Sequence, residues 1–64
     1  MNERLRELRI ERNLTQKQIA ESLGISIRAY SHYEIGDREP SIEMLRQLCI
    51  LFGVTADYLI GLSD

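Results

Sequence analysis

Four times in this chain a Ser or Thr stands between an apolar or proline residue and a helical stretch whose fourth residue is again apolar. The sets are Leu14-Thr15 with Ile19, Ile25-Ser26 with Tyr30, Pro40-Ser41 with Leu45, and Val54-Thr55 with Leu59. A hydroxyl at a helix N-cap accepts a hydrogen bond from a backbone N–H that has no intrahelical partner. The flanking apolar pair then closes over the first turn as a staple. At Thr15 the capping box is complete, because Gln18 stands three residues on and can reach back to the cap's own N–H. Gly24, Gly36, Gly53 and Gly61 lie at the opposite ends, where a left-handed residue stops a helix. The starts and stops together predict helices near 2–12, 16–23, 27–34, 42–52 and 56–60.

Apolar periodicity agrees with this punctuation. Leu45, Leu48, Cys49 and Phe52 follow the i, i+3, i+4, i+7 spacing of one buried stripe. Leu5 and Leu8 supply the first segment's share of the core, Ile19, Ala20 and Leu23 the second's, and Ala29, Tyr30 and Tyr33 the third's. No stretch alternates with period two, so the fold class is all-α, five short helices in one domain over 1–64. Only Gly24, Ile25 and the cap Ser26 separate the second and third segments. Two short helices crossing at so tight a turn form a helix-turn-helix, whose second helix enters the major groove in the DNA-binding versions.

At 64 residues the chain has one small core, which rarely supplies more than about 3–5 kcal/mol, so caps, turns or a partner subunit must add to it. The single Cys49 excludes an internal disulfide framework and suits a reducing compartment. No apolar run approaches membrane-spanning length and the N-terminus has no signal-peptide stretch, which leads to an expectation of no membrane association and a cytoplasmic location. The net charge of −2 is unusual for a nucleic-acid binder. Its distribution tells more. Glu3, Glu7, Glu11, Glu21, Glu43, Asp57 and Asp64 fall away from the turn, Arg28 is the single charge between Leu23 and Ser31, and Arg38 follows close by.

The run from Leu14 through Thr15-Gln16-Lys17-Gln18-Ile19-Ala20-Glu21-Ser22-Leu23-Gly24-Ile25 to Ser26 resembles the helix-turn-helix of the Cro and phage-repressor (XRE) family. The similarity continues through Tyr30-Ser31-His32-Tyr33-Glu34, Pro40-Ser41, Phe52-Gly53-Val54 and Asp57-Tyr58-Leu59, and so spans nearly the whole chain. The resemblance implies a lambda-repressor-like domain that binds operator DNA as a dimer, with its third helix reading bases. It also implies that Gln16 touches a phosphate, that Arg38 lies along the phosphate backbone, and that Glu34 pairs inward with Arg9. Two positions depart from the common pattern. Ile35 stands where a polar residue usually precedes the glycine, and Ile27 occupies a usually polar place at the start of the reading helix.

Ile27, Arg28, Ser31 and His32 follow i, i+1, i+4, i+5 and form one strip opposite Tyr30 and Tyr33, with the cap Ser26 at its start. Arg28 suits guanine O6 and N7, a pairing that discriminates by about 1–3 kcal/mol. Ile27 fits a thymine methyl or, equally, a packing contact. Ser31 suits a phosphate or water-mediated contact, and His32 a base edge or phosphate. Lys17 is a backbone-contact candidate nearly matched by its reading as a solvated surface cation. Ile50, Leu51, Ile60 and Leu62 are left outside the expected core and point to a homodimer surface. Two recognition helices about 34 Å apart would then match one turn of DNA. No metal-ligand set, phosphate-binding Gly-rich loop or catalytic constellation is present in the sequence, so no enzyme, cofactor or small-molecule ligand is implied. A protein-interaction module of antitoxin type, using the same fold, is the alternative that the acidic net charge supports.

Overall fold

Each of the four hydroxyl caps begins a helix. In a computed structural model, which describes residues 1–62, the order is α1 (Asn2–Glu11), α2 (Gln16–Leu23), α3 (Ile27–Ile35), α4 (Ile42–Phe52) and α5 (Ala56–Ile60). Residues 63 and 64, Asp64 among them, lie outside the described residues. Thr15, Ser26, Ser41 and Thr55 accept from the backbone N–H of Gln18, Ala29, Met44 and Tyr58 at 3.0–3.1 Å. At Thr15 the reciprocal bond is present as well, from its N–H to Gln18 Oε1 at 2.8 Å. Leu14, Ile25 and Val54 pack partly buried against the core, as staple residues should.

α1 has neither device. Its N-cap, Met1, makes no side-chain cap bond, and the helix ends at Glu11, one residue before the expected 12. The chain then turns through Asn13 at φ 55°, a conformation that Asn tolerates better than most residues. α3 runs to Ile35, one residue beyond expectation, before Gly36 closes it with an N–H bond to the His32 carbonyl at 3.0 Å. Gly36 is required twice over. Its φ is +92°, and a Cβ there would meet Asn2 Cγ and Nδ2 at 3.0 Å. The departure at Ile35 therefore leaves the capping turn intact.

The core consists of Leu5, Leu8, Ile19, Ala20, Leu23, Tyr30, Leu48, Phe52 and Leu59. α3 packs against both α1 and α2, while α4 packs on α2 and α5, and α5 returns to α1. Four expected core positions are only partly covered. Leu45, Cys49 and Tyr33 lie against the cluster, with Leu45 and Cys49 lining an open apolar cleft beside Ile42, Val54 and Ala56. Ala29 is half-buried and lies outside the core cluster, because it sits between the Tyr30–Tyr33–Glu34 face and the outward strip of α3. Leu59, fully buried, was visible in the sequence only as a staple partner. Polar contacts fasten α1 to the far end. Arg4 Nη1 donates to the Tyr58 carbonyl at 2.7 Å with its guanidinium 4.3 Å from the Tyr58 ring centre, and Arg12 lies 5.3 Å from that of Phe52.

Candidate functional site

The crossing of α2 and α3 is held from behind by one carboxylate. Glu34 is buried, with a side chain only 5% exposed, and it takes two bonds from Arg9 of α1. Nε donates to Oε2 at 2.7 Å and Nη2 to Oε1 at 3.1 Å, the fork geometry in which guanidinium and carboxylate match best. The third guanidinium nitrogen, Nη1, donates to the Leu14 carbonyl at 3.1 Å, immediately before the Thr15 cap. Gln16 Nε2 then donates to Glu34 Oε1 at 3.2 Å. α1, the start of α2 and the end of α3 are thereby joined through three side chains.

Burial works to raise the Glu34 pKa. The Arg9 hydrogen bond, the neighbouring Tyr30 hydroxyl, the Gln16 amide and the guanidinium charge outweigh it and hold the carboxyl below its ordinary value. The same carboxylate acts oppositely on Tyr30. Burial first, and then the nearby negative charge, push that phenol far up, so it stays neutral. Its hydroxyl is buried beside Glu34 without a hydrogen bond of good geometry among the described residues. Tyr30 and Tyr33 meet edge to face, with ring centres 6.5 Å apart at 90°. Behind the outward strip, then, the scaffold is packed with aromatic rings and fastened by charge.

On the opposite face of α3, Ile27 and Arg28 are exposed and Ser31 and His32 are half-buried. The structure thus brings these four together as one outward strip, with Ile27 47% exposed despite its apolar side chain. Ser26 Oγ is occupied as the acceptor of the cap bond to Ala29, which leaves its O–H as a donor to the outside. Gln16 keeps one amide N–H beyond the one given to Glu34. It lies at the rim of a polar cleft of about 460 Å³ with Asn2, Glu3, Arg6, Arg9, Glu34 and Ile35. Lys17 and Arg38 are exposed, and neither they nor Arg28 form an ion pair among the described residues. Arg38 sits at a smaller cleft with Asn2, Tyr33 and Gly36, near the beginning of α1.

Two features escape the sequence reading. Arg6 and Asn2 join Gln16 at the polar cleft; the signal for Arg6 was its i, i+3 relation to Arg9, which puts both on one side of α1. The other is Asp37. Its carboxylate oxygens lie 2.8 and 3.0 Å from His32 Nδ1, so acidic charge does reach the strip that looked free of it. The pair spans Gly36, and the chain reversal there brings together residues that helical spacing would keep apart.

The chain matches the family described as helix-turn-helix domain over residues 2–64. It is 40% identical over 62 residues to the HTH-type transcriptional regulator YobD of Bacillus subtilis, covering 97% of this chain and 55% of that protein. It is 44% identical over 60 residues to the HTH-type transcriptional activator BcrR of Enterococcus faecalis, covering 94% and 29% respectively. Against the cryptic phage CTXphi transcriptional repressor RstR of Vibrio cholerae it is 33% identical over 61 residues, covering 95% and 55%. The chain therefore spans about half, or less, of the length of these curated relatives.

Proposed function

Because this chain belongs to the XRE-type helix-turn-helix family, with its lambda-repressor-like all-α fold, we propose that it is a sequence-specific DNA-binding unit of transcriptional regulation, acting as a repressor. α3 lies in the major groove, where Arg28 takes a guanine edge and Ile27, Ser31 and His32 meet neighbouring bases or phosphates. Gln16, Lys17, Ser26 and Arg38 contact the sugar-phosphate backbone and set the register. The supporting observation is the outward strip itself, backed by the Arg9–Glu34–Gln16 clasp: a protruding reading face on a fixed scaffold. The work is binding, in the cytoplasm, with no chemical step. Relatives bearing this domain include one named an activator, so the direction of regulation belongs to the proposal rather than to the family.

The operator is an inverted repeat bound by a homodimer. Ile50 (74% exposed), Leu51 (36%), Ile60 (42%) and Leu62 (75%) are the large apolar side chains toward the C-terminus that support a self-association surface. Ile50 and Leu51 also line an open apolar groove with Leu23 at the end of α2. Sedimentation that found only monomer at high concentration, with and without operator, would remove the dimer.

Selection from random duplexes at two salt concentrations, using wild type and Arg28→Ala, tests the whole reading. Wild type should enrich a dyad and lose affinity as salt rises. Arg28→Ala should relax preference at one base per half-site; an equal loss on every sequence would make Arg28 a phosphate contact instead. Failure to enrich any sequence would favour the protein-interaction module, for which the net charge of −2 is the supporting observation.

A further inference from the structure

The His32–Asp37 pair contributes little to holding the fold. The two side chains are 36% and 55% exposed, and an exposed ion pair contributes at most about 1 kcal/mol. Its geometry is nonetheless specific. Nδ1 lies 2.8 Å from one carboxylate oxygen and 3.0 Å from the other, so the ring is fixed against two acceptors rather than one. A carboxylate only accepts, so Nδ1 must carry the proton. Nε2, on the far side of the ring, is then the one nitrogen left to face anything else, and in the neutral ring it is an acceptor.

We propose that Asp37 is a positioning residue for sequence readout: it holds His32 in its Nδ1–H form and presents Nε2 to a base edge. This rests on the reading of α3 as the helix in the major groove. The donors on the groove floor are the amino groups of cytosine (N4) and adenine (N6), so the base that the neutral Nδ1–H ring selects is one of these two. A histidine in the other tautomer would donate from Nε2 and favour the acceptors of guanine or thymine. Asp37, which touches no base, thereby decides which half of the code His32 reads. It also explains a carboxylate at the edge of a DNA-facing strip, where negative charge alone would only weaken binding.

The tautomer is measured without DNA, by nitrogen-resolved NMR of the His32 ring at pH 8. Wild type and Asp37→Asn, which keeps an acceptor oxygen, should have the proton on Nδ1, and Asp37→Ala should release it to Nε2. An Nε2–H ring in the wild type would overturn the proposal. Selection from random duplexes at the same pH then reads the consequence. In wild type one position per half-site should favour cytosine or adenine by about fivefold, the low end of what one good base contact supplies. His32→Ala and Asp37→Ala should both flatten that position, while Asp37→Asn retains most of it. If Asp37→Ala and Asp37→Asn instead raise affinity equally for every sequence with no change in base profile, Asp37 is only a repelling charge and the proposal fails. An enriched site whose profile His32→Ala leaves intact also overturns it while sparing the DNA reading. No enrichment by wild type, despite the Nδ1–H ring, would overturn the DNA reading itself.

Discussion

Three of the five helices begin with an acid in the first turn, Glu3 in α1, Glu43 in α4 and Asp57 in α5, while α2 and α3 begin with none. An acid there complements the positive end of the helix dipole and stabilises by about 0.3–1 kcal/mol. The two helices of the turn open instead with Gln16-Lys17 and Ile27-Arg28. Their fastening differs too. A charged clasp of Arg9, Glu34 and Gln16 locks the turn region from behind, whereas α4 and α5 are held by Leu48, Phe52 and Leu59 with further apolar side chains left outside. A first-turn acid is thus present in α1, α4 and α5 and withheld where a phosphate would itself bring the negative charge. In its place the turn region has a long-range clasp, while α2 and α3 start on hydroxyl caps with no acid in the first turn.

The most severe way to break this contrast is to remove the clasp. Arg9→Ala strands a buried carboxylate and should cost about 3 kcal/mol or more, close to the whole stability of so small a domain. Ile42→Ala, on an exposed side chain of α4 outside the proposed dimer surface, should change stability by no more than about 0.5 kcal/mol. Urea titration followed by circular dichroism compares the two. Acid provides a gentler cut at the same place. The folded-state pKa of Glu34 is depressed, so its contribution is fully present above the ordinary carboxylate range and is lost as pH falls through the folded value. Wild type should therefore lose stability on acidification more steeply than Glu34→Gln; parallel pH curves would deny the clasp its role.

The glycine caps sharpen the comparison at smaller scale. Gly36→Ala and Gly53→Ala both force a left-handed alanine, at about 1–2 kcal/mol. Gly36→Ala should cost more, because its methyl also meets Asn2 while nothing lies within 4 Å at Gly53. Adding Asn2→Ala should bring the two penalties together in thermal melts. The smallest stability effect has the opposite sign. Lys17→Glu places an acid in the first turn of α2 and should stabilise by about 0.3–1 kcal/mol while weakening DNA binding and its salt dependence. A variant that gained stability and kept its affinity would detach the acid-free helix starts from any phosphate.

Helix positions were legible wherever the deciding interaction is local. A cap hydroxyl and its N–H partner are three residues apart, so α2, α4 and α5 begin and end where the sequence places them. α1 lacks a side-chain cap and stops at an Asn-assisted turn, and there the boundary slipped. Periodicity found the stripe of α4 but not its depth: Leu48 and Phe52 are inside, while Leu45 and Cys49 line an open cleft because of what α4 packs against. The same limit hid part of the site. Ile27, Arg28, Ser31 and His32 share a face by helical geometry alone, but Asp37 reaches His32 only after a reversal at Gly36, and Arg6 reaches Gln16 only across the fold.

Arg9 does more than balance a charge, and this gives the clasp a direction. Its Nη1 is the donor that satisfies the Leu14 carbonyl, so the guanidinium serves one carboxylate and one backbone oxygen at once. Exchanging the two residues, Arg9→Glu with Glu34→Arg, would restore opposite charges yet turn a carboxylate toward that carbonyl. Gln16 could flip its amide to suit the new arrangement; the Leu14 peptide, fixed by the neighbouring cap, could not. Reversing the charges of this pair would therefore not restore it, because the backbone carbonyl fixes which side must donate.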